Sequence, residues 1–235
     1  TIKFAKYVGK TIADIGTLRI DKRVVNLESS GGEKQYDGTP LTNPEVTGWE
    51  QHNASNTGFV KDEVKDVQAM GSITTVGEIN NTISYSKGQN FREDNYTITM
   101  HPGVLRITQT EQELKIVSST NSWTYDGQVH KDEVYTVTYG QQNGTATKQS
   151  DGTYTYTIKH TKGQATDIVT ITPTAAGVKD YDESYSENNT YTATVTNESS
   201  YKTFTKKVGT LRIDKRVVNL ESSGGEKPYD GTPLT

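Results

Sequence analysis

The residues that most nearly suggest chemistry are a Gly-Lys-Thr run, four histidines and an acidic loop. Each falls short of the pattern its chemistry needs. Val8-Gly9-Lys10-Thr11 imitates the end of a phosphate-binding loop, but position 4, where that motif requires its first glycine, holds Phe4, whose side chain stops the backbone from wrapping a phosphate. A surface hairpin is the expectation there. Gly31-Gly32-Glu33-Lys34 has no hydroxyl residue after its lysine and reads as a polar turn. His52, His101, His130 and His160 show neither i,i+4 nor His-x-His spacing, so they predict neither a metal site nor a catalytic triad. Serines are plentiful, yet no G-x-S-x-G elbow occurs. Asp180, Asp182, Glu183 and Glu187 make an acidic loop, DYDESYSEN. Carboxylate oxygens suit calcium, but the loop lacks the glycine and the ligand register of an EF-hand, so a solvated loop is expected. The chain has no cysteine, which excludes disulfides, zinc-thiolate sites and thiol nucleophiles. No catalytic, cofactor-binding or metal-ligating residue is assigned, no cofactor is expected, and the chain reads as a non-enzyme.

Two sets of aromatic residues draw attention by position. Tyr36, Tyr125 and Tyr229 each precede Asp-Gly. The expected role is structural: the ring packs over the end of a module while the aspartate organises a turn that glycine's free φ permits. Trp49 and Trp123 would serve as stacking platforms for sugars. They stand at different distances from their Tyr-Asp-Gly, so no repeated site is implied and packing in a core or interface is expected.

The elements that must carry these residues follow from composition. Of 235 residues, 31% are hydrophobic, too few for one large core and better suited to several thin ones. Thr, Tyr and Val dominate and favour a pleated, half-buried surface. Fourteen tyrosines against four phenylalanines predict cores closed by rings whose hydroxyl tips reach water. Net charge is −4 with both signs interspersed; no basic stripe exists for nucleic acid, and no apolar run is long enough to span a bilayer as a helix.

Internal repetition settles the organisation. Residues 16–42, GTLRIDKRVVNLESSGGEKQYDGTPLT, recur at 209–235 with Gln35 replaced by Pro228 as the single difference. A weaker copy lies between them, where Tyr125-Asp126-Gly127 and Gly103-Val104-Leu105-Arg106-Ile107 repeat the same landmarks. Asp66–Ser86 aligns with Asp167–Ser186, and Asn95–Thr99 with Thr190–Thr194. The reading is of C-terminal strands of one repeat at 1–23, complete modules at 24–109 and 110–216, and the first strand of another repeat at 217–235. The second module is longer, which is attributed to longer loops.

Alternating runs bounded by Gly, Asn, Asp and Pro predict an all-β chain. The strands expected are 24–27, 72–75, 82–85, 96–100, 104–107, 114–117, 134–138, 153–158, 168–172, 191–196 and 210–213. Val60, Val64, Val67 and Gly71 fall near helical spacing, but a strand from Val67 onward is preferred, after one helical turn at most. About seven strands per module suit tandem immunoglobulin-like β-sandwiches; β-grasp-like modules, which would use the helix, are the alternative. Leu18–Ile20 is expected to run as strand through Asp21-Lys22-Arg23 into Val24–Leu27, a joint too short to be a flexible tether, so an elongated rod is predicted.

The pattern IDKRVVNLESSGGEKQYDGTPLTNPEV, followed by ITTVGEINNTISY and DNYTITMHPGVLRI, resembles the YDG and MBG-type repeats of large cell-surface, adhesin-like proteins of gut Gram-positive bacteria. The resemblance covers the first module well and the second more loosely, through Trp123-Thr124-Tyr125-Asp126-Gly127. It implies an extracellular location at the bacterial surface or cell wall and no catalytic residue. The function expected is that of stalk repeats projecting a distal domain, with neighbouring repeats as the partners; the alternative is that the modules bind host glycan or matrix protein. A glycosidase ranks last, because paired carboxylates need a cleft that thin modules do not offer. Surface modules sometimes crosslink a buried Lys to an Asn, and Lys34, Lys227 and Asn95 are the residues of suitable type. The terminal strands, left with open edges, predict head-to-tail self-association.

Overall fold

The computed structural model describes residues 18–160 and 165–235. Val8-Gly9-Lys10-Thr11 lies outside them. The described residues form eighteen strands and two single turns of 3-10 helix, at Glu93–Asn95 and Glu198–Ser200, so the chain is all-β. It divides into two compact units. Residues 35–39 group with 108–235 rather than with their sequence neighbours, and the first unit is the chain before 35 plus 40–107.

The first unit contains β1 (Arg23–Ser29), β2 (Gly32–Gln35), β3 (Val46–Thr47), β4 (Val64–Ala69), β5 (Gly77–Asn81), β6 (Ile83–Lys87), β7 (Tyr96–His101) and β8 (Gly103–Thr108), the last residues of β2 and β8 grouping with the second unit. They pair as β3-β1-β7, β2-β8-β5 and β4-β6. Period-2 alternation explains β1: Val25, Leu27 and Ser29 face inward while Asn26 and Glu28 face out. β1 runs parallel to β7, with Val25 opposite Ile98. Phe59, Phe91 and Tyr96 close the core with Val25, Leu27 and Val64. Phe91 and Tyr96 stack with ring centres 5.5 Å apart.

The second unit contains β9 (Leu114–Ser118), β10 (Asn121–Thr124), β11 (Tyr135–Tyr139), β12 (Gln142–Thr145), β13 (Thr147–Lys148), β14 (Tyr154–Lys159), β15 (Thr166–Pro173), β16 (Tyr191–Val195), β17 (Phe204–Lys207) and β18 (Leu211–Asp214). Two four-stranded sheets, β12-β11-β9-β17 and β13-β14-β15-β16, supply one shared core, and β10 pairs with β18. Leu114 and Ile116, Tyr135 and Val137, Val169 and Ile171, and Tyr191, Ala193 and Val195 enter it at alternate positions. Fully burying one such aliphatic side chain contributes roughly 1.5–3 kcal/mol.

Several expectations are corrected. Residues 72–75 form no strand; Ile73 makes one isolated bridge to Leu41, since Gly71 N–H is taken by Asn81 Oδ1 at 2.9 Å. The ambiguous stretch is strand from Val64, with a register shift between Lys65 and Gln68 and Asp66 at φ 53. The added length of the second module makes β12, β13 and β14 as well as loops. The alignment of Asn95–Thr99 with Thr190–Thr194 is also overturned. β7 lies parallel to β1, and the strand lying parallel to β9 is β17, whereas β16 is antiparallel to β15 as β6 is to β4. Tyrosine hydroxyls do not all reach water: Tyr191 Oη donates to Ile116 O at 2.8 Å inside the protein.

Structural equivalence instead centres on a Ser–Asn–Gly network present in each unit. Ser29 Oγ donates to Asn81 O and accepts from Gly103 N–H; Ser118 Oγ donates to Asn189 O and accepts from Gly209 N–H. The two buried amides donate to backbone carbonyls, Asn81 to Ser30 and Asn43 and Asn189 to Ser119 and Asp132. Leaving buried carbonyls unpaired costs about 1–3 kcal/mol each. Asn81→Ala is therefore expected to destabilise the first unit, and Asn189→Ala the second, by roughly 2–4 kcal/mol. Hydrogen-exchange mass spectrometry checks this, since each loss of protection should stay within its own unit.

Candidate functional site

The most chemically loaded place in the described residues is one end of the second unit's core. Strand alternation puts its polar residues there. Asp167 is in phase with Val169 and Ile171 on β15, and Ile158 lies opposite it on β14. His160 follows Ile158 on the same face, and Tyr139 follows Val137 at the end of β11. Tyr201 comes from the chain just past the turn Glu198–Ser200, and Asn197 precedes that turn in the left-handed region at φ 56. Tyr36 completes the group. It continues the inward phase of β2, and its N–H donates to Thr108 O at 2.8 Å.

Asp167 is 1% exposed and is the acceptor for Tyr36, Tyr201, His160 and Asn197, while Tyr139 Oη pairs with Thr110 Oγ1. Its Oδ2 accepts from Tyr36 Oη at 2.9 Å, from Tyr201 Oη at 2.6 Å and, when Nε2 carries the proton, from His160 at 3.0 Å. Its Oδ1 accepts from Asn197 Nδ2 at 3.0 Å, and that amide also reaches Tyr36 Oη at 3.0 Å. Burial alone would raise the pKa of this carboxyl. The donors, His160 first and then Tyr201, Tyr36 and Asn197, outweigh burial and hold it below its ordinary value. Burial, reinforced by the bond to Asp167, pushes Tyr36 up to about 12 and raises Tyr201 further. The rings meet edge to face: Tyr36 with His160 at 5.3 Å and with Tyr201 at 6.2 Å, a geometry that aligns ring edges with ring faces.

The arrangement binds the side chain of Tyr36. The carboxylate is saturated with donors and closed to solvent. What it recognises is the phenol of Tyr36, together with the turn behind it. Asp37 Oδ1 accepts from Thr39 N–H at 3.0 Å and Thr39 Oγ1 at 2.7 Å. Gly38 takes φ 73, and a Cβ there would stand 2.7 Å from His160 Cδ2 and 2.9 Å from Ala165 Cβ. Glycine is needed twice, for the dihedral and for the approach. Gly38→Ala is expected to cost roughly 1–3 kcal/mol of stability in the second unit, checked by thermal unfolding; an alanine variant melting with wild type would contradict it.

The same turn is built at both other copies without a docked ring. Gly127 takes φ 79 and Gly231 φ 76. Asp126 Oδ1 accepts from Gln128 N–H, and Asp230 Oδ1 from Thr232 N–H and Oγ1. Tyr125 N–H donates to Asp214 O at 2.9 Å, as Tyr36 N–H does to Thr108 O. Tyr36 is 4% exposed, Tyr125 41% and Tyr229 97%. The Asp-Gly turn is thus local in origin, and burial of the ring is not.

The other residues singled out in the sequence are dispersed. Trp49 packs on the first unit's core and lines an open hollow of about 520 Å³ with Gln51, Asn53 and Lys61. Trp123 stacks on His130, ring centres 5.0 Å apart, and His130 Nε2 lies 2.9 Å from Asp126 Oδ1. His52 and His101 are exposed. Asp180, Asp182, Glu183 and Glu187 stay on the surface, where Asp182 Oδ1 accepts from Ser184; among the described residues no cluster of three or more His, Asp or Glu is placed to hold a metal. Lys227 pairs with Asp230 on the surface. Spacing rules missed His160 and Asp167 because they meet across the β14–β15 hairpin. The signal available was their shared inward phase with Ile158 and Val169. Set against protein-family models, curated proteins and solved structures, the chain has no match.

Proposed function

We propose that this chain is a run of immunoglobulin-like β-sandwich repeats whose job is structural: stalk modules of a bacterial surface protein, holding a distal domain away from the cell wall, with no catalytic role. The observation that carries the reading is the placement of residues 35–39. They lie within the first sequence repeat yet form part of the second unit, and their tyrosine is held there by a buried carboxylate. Repeats that exchange a segment in this way resist being pulled apart one by one, which is what a stalk requires. The near-identity of 16–42 and 209–235 adds that the sequence carrying this segment recurs.

Small-angle scattering tests the reading. A stalk predicts a maximum dimension close to the summed lengths of two sandwiches, and a profile with the pair distribution of a sphere would overturn it. A second reading, glycan binding, draws on the Trp49 hollow, where an indole and the side-chain amides of Gln51 and Asn53 come together; an aromatic face beside amide donors suits a sugar ring. Trp49→Ala abolishing a signal on a glycan array would favour it, and silence of the wild-type chain across such an array would dismiss it.

A further inference from the structure

The pocket around Asp167 is a receptor for a Tyr-Asp-Gly turn, and the chain carries a second, undocked turn of nearly the same sequence. From this pairing we infer that the segment 224–235 of one copy, GGEKPYDGTPLT, is a ligand for the Asp167 pocket of a second copy, with Tyr229 taking the place of Tyr36. The inference does not depend on where the protein resides.

Three observations support it. The ligand matches in sequence: residues 229–235 repeat 36–42 without a difference. It matches in shape before binding, because Gly231 takes φ 76 against 73 for Gly38, and Asp230 holds Thr232 as Asp37 holds Thr39. Among the described residues it is also undocked. Residues 215–235 lie in no strand, and Tyr229 is almost entirely exposed. A preformed turn loses little conformational freedom on docking. Lys227, which pairs with Asp230 on the surface, sits at the position of Lys34, so the charges flanking the two tyrosines are alike as well.

The pocket supplies the complementary chemistry. Asp167 is acceptor-only and needs a donor where Tyr36 Oη now lies. His160 and Tyr201 offer ring edges and faces to any phenol inserted between them. Pro228 replaces Gln35 and has no N–H for a strand ladder, so exchange involves the turn and its tyrosine rather than the whole of β2. Tyr36, tethered in the same chain, competes at an effective concentration of order millimolar. Exchange in the wild-type chain is therefore a minor population, and removing Tyr36 exposes it.

The test uses the full chain and a dye-labelled synthetic peptide of residues 224–235. Tyr36→Ala is expected to bind the peptide at least ~10-fold more tightly than wild type does; the same peptide with alanine at the tyrosine position should not bind, and adding Asp167→Asn to the variant chain should abolish binding. In sedimentation, Tyr36→Ala should associate as its concentration rises, and Tyr36→Ala/Tyr229→Ala should stay monomeric. A Tyr36→Ala chain that keeps its β-sheet circular dichroism but ignores the peptide overturns the inference, as does equal binding of the alanine peptide. Should Tyr36→Ala fail to fold, Tyr36→Phe decides. It keeps the ring in place and removes the bond to Asp167, and it too must bind the peptide about 10-fold more tightly than wild type, the worth of one hydrogen bond to a charged group; equal or absent binding sinks the proposal.

Discussion

Tyr36→Ala is expected to lower the unfolding temperature of the second unit by on the order of 10 °C, the size of a large-to-small change at a closed site. The ring is buried among His160, Tyr201 and Asp167, so truncation forfeits its packing, roughly 3–5 kcal/mol for a large aromatic. Its loss also removes a donor from a buried carboxylate. Tyr125→Ala supplies the control. The same residue type follows the same strand-end hydrogen bond and precedes the same turn, yet its ring is half in solvent, so its removal should shift the melt by no more than ~2 °C. Differential scanning calorimetry with hydrogen exchange to assign the transitions measures both. Equal effects of the two substitutions would mean that the Tyr36 site contributes no more than the turn itself.

The second large effect belongs to Asp167. Its folded-state pKa lies below the ordinary value of 3.8, so it contributes stability above that ordinary value, and the contribution is lost as pH falls through the lower, folded-state value. Tyr36 works in the opposite direction. Its value is raised from 10.0 to about 12, so its share is present below pH 10 and disappears as pH rises through about 12. The docked tyrosine should be held across the whole span between these limbs and released at either end. Asp167→Ala is expected to cost roughly 3–5 kcal/mol at neutral pH, because it strands the donors of Tyr36, Tyr201, His160 and Asn197 without an acceptor. Asp167→Asn should be destabilised at neutral pH and lose the acid limb. Denaturant midpoints of the second unit at a series of pH values read both results; an acid limb that persists unchanged in Asp167→Asn would place its origin in other carboxylates.

These effects rest on one asymmetry. Apart from Gln35 against Pro228 just before them, nothing local distinguishes Tyr36 from Tyr229, since the residues after each are the same and so is the turn. What differs is whether a carboxylate, an imidazole and a second phenol surround the ring. A site of this kind holds protein segments together through burial and donor saturation.

The sequence by itself determined what short-range physics controls. Alternation along Arg23–Ser29, Tyr135–Tyr139 and Tyr191–Val195 specified strands and their inward faces, and Asp-Gly specified four left-handed glycine turns, at Gly38, Gly127, Gly152 and Gly231. The inward phase of Asp167 with Val169 and Ile171 was legible too, though not its partners. Tertiary structure alone decided the rest, and one decapeptide shows why. LRIDKRVVNL occurs at 18–27 and at 211–220. In the first copy Leu18–Lys22 is not strand, while the second half enters β1, between β3 and β7. In the second, Leu211–Asp214 is β18, paired with β10, and the remainder is not strand. Identical residues exchange roles because a strand's N–H and C=O groups need a partner ladder, and a tyrosine ring needs an enclosing wall; both come from residues distant in sequence, which local pattern does not encode.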